Sequence, residues 1–211
     1  MSLAANPAKA FEAGLARYLS ARELERIHAV RIGVAGAGGL GSNCAHLLVR
    51  SGFRDWVIAD HDSVEASNLN RQFFFAGQIG RPKVLALRDN LLAINPGLRV
   101  RAVVAAVTPE SVGELFAGCH VVIEAFDQPR DKAILVAHYL GSDVLLVAAS
   151  GIAGCGNADD IATHRIRENF YLVGDLRSGA SPAQPPFAPR VAVAAAKQAD
   201  VVLAFALGGR A

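Results

Sequence analysis

The chain is expected to fold as an α/β domain, a doubly wound and mostly parallel sheet with helices on both faces and an antiparallel C-terminal extension. Three observations predict it. Short apolar runs alternate with stretches of helical period, the pattern of parallel strands joined by helical crossovers. The first run passes directly into a glycine-dense turn, Gly36-Ala-Gly-Gly-Leu-Gly41, and then into a helical pattern marked by Cys44, Leu47 and Leu48. The 211 residues are 52% hydrophobic and 19% charged, which suits one domain with a substantial core and excludes a disordered chain.

The elements follow in order. Phe11 to His28 has helical spacing. Arg31–Ala35 is an apolar strand and Leu40–Ser51 a helix. Trp56–Asp60 is a short buried strand. Pro82–Ile94 is helical and stops at Asn95-Pro96-Gly97, because the residue before a proline is driven out of helical geometry. Leu98–Ala106 alternates as a strand. Thr108-Pro109-Glu110 reads as a helix start, with Thr108 as cap and Pro109 at the first helical position. Val121–Ala125 is a strand, Arg130–Leu140 a helix and Val144–Ala149 another strand. Ile161–Ile166 and Phe170–Val173 read as a strand pair. A proline-rich loop from Pro182 to Pro189 leads into a last helix, from Pro189 or Arg190 through Ala206. That helix is apolar on most faces, so it is expected in the core or in a dimer interface. No repeat appears, and residues 1–211 read as one unit: an N-terminal helical segment (1–30), a nucleotide-binding core (31–150) and a C-terminal part (151–211).

Several function classes are disfavoured. Cys44, Cys119 and Cys155 are far apart and form no C-x-x-C pair, so neither zinc nor a disulfide framework is supported. Cys44 and Cys119 read as core packing; Cys155 is the nearest candidate for a nucleophilic cysteine, but reads as a small buried or spacer residue. The net charge of +2 gives no broad nucleic-acid footprint. No apolar run is long enough for a membrane span or a signal segment, and a cytoplasmic protein is expected.

Ligands of such sheets sit at the carboxyl ends of the strands, which turns the sequence into a map of one site. The glycine turn of Gly36, Gly38, Gly39 and Gly41 lets a phosphate approach backbone N–H groups at a helix N-terminus. Asp60 ends the second strand about twenty residues later, where an acidic side chain binds ribose hydroxyls. Up to this point the pattern fits NAD. The next segment departs from it. Ser67-Asn-Leu-Asn-Arg-Gln72 is unusually polar, and Gly80-Arg-Pro-Lys83 places a lysine in the first turn of the next helix, where the dipole disfavours a cation. Lys83 therefore implies an anionic partner. Arg71 and Lys83 together suit a triphosphate, which carries about four negative charges, better than a single pyrophosphate. Asp127 follows the Val121–Ala125 strand and is a candidate Mg²⁺ ligand, since that ion takes one or two carboxylates together with phosphates and water. Capping of the following helix is its other reading. Glu124 is a second acidic candidate. His61 falls in the candidate site but reads as a turn residue, and Phe73-Phe74-Phe75 reads as core packing, with a surface for a partner's apolar face as the other reading.

Taken together, the glycine turn, Asp60-His-Asp62, Ser67–Gln72, Gly80–Lys83 and Asp127 resemble the ThiF/MoeB sulfur-carrier adenylyltransferases, whose Rossmann-like core also occurs in ubiquitin-activating enzymes. The resemblance covers about Arg31 to Ser150. It implies ATP–Mg²⁺-dependent adenylation of the C-terminal Gly-Gly carboxylate of a small ubiquitin-like sulfur-carrier protein. By this match Asp60 holds the ribose, Asn68, Arg71 and Lys83 the phosphates, Gln72 lies among the ATP contacts, and Asp127 binds Mg²⁺. It also implies a homodimer in which an N-terminal arginine, Arg17 or else Arg22, completes the partner's site. Larger members carry zinc on two C-x-x-C pairs, which this chain lacks. Gln128 stands where asparagine is usual. Gly174-Asp-Leu176 and Pro185–Arg190 resemble the short, zinc-free ThiF subfamily, which favours a ThiS-like carrier of thiamine biosynthesis. Alternatives are a molybdopterin-synthase carrier, a tRNA-modifying ATP-dependent dehydratase of the same superfamily, and an NAD(P)-dependent oxidoreductase.

Overall fold

In the computed structural model, which describes residues 6–209, seven strands form one sheet in the order β3-β2-β1-β4-β5-β7-β6. The strands are β1 (Arg31–Ala35), β2 (Asp55–Asp60), β3 (Arg99–Val104), β4 (Val121–Glu124), β5 (Leu145–Ala149), β6 (Ala162–Arg167) and β7 (Phe170–Gly174). All neighbouring pairs are parallel except the edge pair β6–β7. The helices are α1 (Pro7–Leu15), α2 (Ala21–Ala29), α3 (Gly39–Arg50), α4 (Lys83–Ile94), α5 (Val112–Leu115), α6 (Pro129–Tyr139) and α7 (Ala188–Leu207).

Strand alternation sorts the core into two layers. Val121 and Ile123 of β4 face the larger layer with α3, α4 and α7, while Val122 joins the layer under α5 and α6, as the two-residue period requires. No helix among the described residues is long and apolar enough to cross a membrane.

The largest departures from the expected boundaries are in two helical segments. The helical stretch from Phe11 to His28 is two helices, because Ser20 begins a new one. Its hydroxyl accepts from the Glu23 N–H at 3.3 Å and its own N–H donates to the Glu23 carboxylate at 2.8 Å, a capping box. Helix α5 begins at Val112 rather than after Thr108. Thr108 does accept from the Ser111 N–H, and Ser111 Oγ accepts from the Thr108 N–H in return. That exchange closes a turn ahead of a single helical turn.

The helical pair α1–α2 sits at the amino end of the sheet. Glu12 pairs with Arg54, the residue before β2, and Arg26 donates to the carbonyl of Leu207 at the end of α7. The opposite, carboxyl end of the sheet is left open at β2, β1 and β4.

Candidate functional site

The order of strands reverses between β1 and β4, and a cleft of about 270 Å³ opens there at the carboxyl ends, as the topology requires. It is lined by Gly36, Gly38, Asp60, Lys83 and Asp127, five residues predicted from sequence, together with His61, Asp62, Gln128, Arg130 and Asp131. A larger hollow of about 650 Å³ lies at the other end of the sheet, around Leu140–Asp143 and Arg167–Asn169. No residue predicted for the site lines it.

The glycine turn forms the floor. Gly36 has φ +97°, a conformation that favours glycine. A side chain at Gly41 would collide with the carbonyl of Gly36, so Gly41 allows the turn to close rather than contacting a ligand. At Gly38 an added Cβ would meet only Gln72 Nε2, at 3.8 Å, so this side of the turn is open. No side chain caps α3, leaving its first N–H groups as donors for an anion.

Asp60 is buried at the end of β2. One carboxylate oxygen accepts the Ala37 N–H at 2.6 Å and the other the Asp62 N–H at 2.8 Å, which ties the turn to the strand end. A carboxylate has about four acceptor sites, so two such bonds leave capacity for ribose hydroxyls. Between Asp62 and Lys83 the chain makes an excursion closed at its base, where the Lys83 N–H donates to the Asp62 carbonyl and the Val64 N–H to Arg81. The closure places the buried Lys83 Nζ 2.7 Å from Asp62. The anion answering Lys83 in the chain itself is thus Asp62. The lysine hydrogen bond holds the Asp62 carboxyl below its ordinary range, against the opposing effect of burial. His61, placed by the sequence in the candidate site but read as a turn residue, lines the cleft with Nε2 3.4 Å from Asp62.

The Ser67–Gln72 segment is fastened beside the turn by α3. Ser42 Oγ accepts the Phe73 N–H at 3.0 Å, and Asn43 donates to the Arg71 carbonyl at 2.8 Å. Gln72 is buried next to Gly38, and its Oε1 has no hydrogen-bond partner. Arg71 lays its Cγ and Cδ over Gly39, while its guanidinium donates to Ser67 O and Asn70 Oδ1. Asn68 is buried and accepts the Glu65 N–H at 3.1 Å, so its side chain closes the local turn. Arg71 and Asn68 therefore do not line the cleft. Nor do Arg17 and Arg22, which are exposed on the turn after α1 and at the start of α2. Phe74 packs in the core as expected and Phe73 is partly buried against it, but Phe75 is 59% exposed.

Asp127 is exposed in the cleft wall just beyond β4. It does not cap the next helix: Gln128 occupies the cap position of α6 without a side-chain bond. The neighbouring Arg130 leans to Asp131 instead, at 3.4 Å. Glu124, the second acidic candidate, is fully buried and paired with Lys132 at 3.0 Å, so it is absent from the cleft. Burial pushes its carboxyl upward while Lys132 and two backbone N–H groups oppose the shift. The cleft residues Arg130 and Asp131 were passed over in the sequence. Their signal was position, the first turn of the helix after a strand-end acid.

Among the thiols, Cys44 and Cys119 are buried and Cys155 is exposed. Burial raises both buried thiols, Cys119 to about 11, so neither is a ready nucleophile.

A model of the ThiF family matches residues 12–169. The chain belongs to the ThiF family. Among the relatives of this ThiF-family chain, a tRNA threonylcarbamoyladenosine dehydratase of Escherichia coli (strain K12) is 34% identical over 143 residues, 67% of this chain and 53% of that protein. A molybdopterin-synthase adenylyltransferase of Salmonella typhimurium is 30% identical over 148 residues, 70% of this chain and 59% of that protein. The chain thus spans about half the length of the curated relatives it matches. The crystal structure of the E. coli tRNA N6-threonylcarbamoyladenosine dehydratase in complex with AMP superposes with a TM-score of 0.84 at 24% identity, covering 93% of each chain, and shares the fold. The same dehydratase in complex with ATP superposes with a TM-score of 0.78 at 25% identity, over 93% of this chain and 91% of that one.

Proposed function

We propose that this ThiF-family chain uses ATP to adenylylate a carboxylate. The observation that carries the reading is the convergence of Asp60, Lys83 and Asp127 with Gly36 and Gly38 on one cleft beside the uncapped start of α3. The E. coli relative that shares the fold has been solved with AMP and with ATP, which supports a nucleotide in this place. Asp60 would take the ribose, and the glycine turn and Lys83 the phosphates. Gln72 turns its Nε2 toward Gly38, where an amide N–H can donate to a phosphate held by the turn. Asp127, free of capping, fits Mg²⁺, which would neutralise phosphate charge when bound.

The acceptor carboxylate is already ionised at pH 7. Its oxygen attacks the α-phosphorus, an acyl-phosphate bond forms, and the bond to the β-phosphate oxygen breaks to release pyrophosphate. No general base is needed, and catalysis reduces to alignment and charge neutralisation. On this reading Asp127→Ala lowers the exchange of labelled pyrophosphate into ATP by about 10²–10³-fold without unfolding the chain, and Arg71→Ala does the same, because the wild-type guanidinium exchanges Ser67 and Asn70 for phosphate when ATP binds. Near-normal exchange in both variants would refute the site map.

For the acceptor, the E. coli relative favours a carboxylate borne on tRNA threonylcarbamoyladenosine over the ThiS-like carrier that the short-subfamily motifs suggested. The second reading, the Gly-Gly terminus of a sulfur carrier, is supported by the molybdopterin-synthase relative, which aligns over 70% of this chain. In both readings a second copy contributes Arg17 to the site. Pyrophosphate exchange measured with modified tRNA, with Gly-Gly carriers and with neither separates the two. Absence of exchange with every acceptor sinks adenylylation itself.

A further inference from the structure

Glu124 closes β4 at the centre of the sheet and has no exposed surface. A carboxylate removed from water must be neutralised and hydrogen-bonded. Lys132, on the first turn of α6, places Nζ 3.0 Å from both carboxylate oxygens and donates as well to the carbonyl of Ala149, the last residue of β5, at 3.1 Å. Glu124 Oε1 also accepts the Phe126 N–H at 2.6 Å. From the opposite face of the sheet, Gln198 of α7 donates to the Glu124 carbonyl at 3.2 Å. Two side chains therefore join the ends of β4 and β5, the first turn of α6 and the peptide one residue before Asp127.

Asp127 needs such a bracket. Its side chain is exposed and does not cap α6, so its direction is set by the backbone on either side. Behind it the Phe126 N–H is held by Glu124, and ahead of it Pro129 opens α6. Stability alone does not call for an ion pair here, because apolar side chains of similar volume commonly do as well in a buried position.

We infer that Glu124 and Lys132 are positioning residues, which aim Asp127 into the nucleotide cleft and thereby set the affinity for the divalent ion of the bound nucleotide. The inference rests on the Mg²⁺–ATP reading of the cleft.

The test is the double variant Glu124→Met with Lys132→Met, which leaves no orphan charge in the core. Its melting temperature is expected to stay within about 5 °C of wild type. Titration with Mn²⁺ in the presence of a non-hydrolysable ATP analogue, followed by paramagnetic resonance, should show metal affinity weakened by about 10–100-fold. In pyrophosphate exchange kcat falls by a similar factor while KM for ATP moves little. A folded double variant with wild-type Mn²⁺ affinity overturns the inference. If the double variant fails to fold, Lys132→Arg and Lys132→Gln decide. The arginine should retain Mn²⁺ affinity and the glutamine lose it, and equal affinities overturn the proposal. Wild type that binds neither Mn²⁺ nor the analogue brings down the ATP reading and this inference with it. Wild type that binds both, beside an unaffected variant, brings down this inference alone.

Discussion

Lys83 is a buried cation at the first residue of α4. A cation in the first turn of a helix opposes the dipole, and burial adds a desolvation cost, so the charge needs an anion nearby. Asp62 provides it at 2.7 Å. The lysine hydrogen bond lowers the Asp62 pKa from its ordinary 3.8. A depressed carboxyl contributes stability above the unfolded value and loses it as pH falls through the folded value. The pair is therefore intact at neutral pH and breaks only below the usual carboxylate range. Following the Asp62 carboxyl carbon by NMR should give a midpoint below 3.8 in wild type and a return toward that value in Lys83→Met. An unmoved midpoint would show that another group lowers Asp62. At this scale the sequence supplied the need for an anion, but the excursion that brings Asp62 back to Lys83 is closed by backbone bonds that leave no mark in composition.

At the scale of elements, most strands and helices are legible because their period and stop signals are local. The apolar runs became β1, β2, β4 and β5, and Asn95-Pro96 ended α4. The break between α1 and α2 was legible too, in Ser20-Ala-Arg-Glu23, but helical periodicity continues across it and masks the cap. The glycine turn carries a prediction at this scale. Gly41→Ala should force the turn open against the Gly36 carbonyl and destabilise the fold by about 3 kcal/mol, roughly 6–12 °C in melting temperature for a chain of this size. A melting curve that superimposes on wild type would mean that α3 shifts without cost.

Across the whole molecule, the cleft lies at the carboxyl ends of β2, β1 and β4, whereas α1 and α2 are fastened at the amino end through Arg54 and Leu207. Arg17 therefore belongs to a different end of the molecule from its own cleft. If a second copy supplies it, mixing Arg17→Ala with Asp127→Ala in equal amounts restores about a quarter of wild-type activity through heterodimers with one complete site, although each variant alone is down by about 100-fold or more. An inactive mixture counts against the shared site.

The sequence by itself determined the α/β class, the order of the elements, the family resemblance and the residues Gly36, Gly38, Asp60, Lys83 and Asp127 that meet in one cleft, because strand ends and helix starts are local signals and the topology sends them to one edge. Only the tertiary structure decided that Asp62 balances Lys83, that Glu124 is sealed behind the cleft with Lys132, that Asn68 closes its own turn and that Arg71 rests on Ser67 and Asn70. Those outcomes depend on which charges find one another across loops and strands. Hydrogen-bond geometry and burial decide that, and both are properties of the folded chain rather than of any window of its sequence.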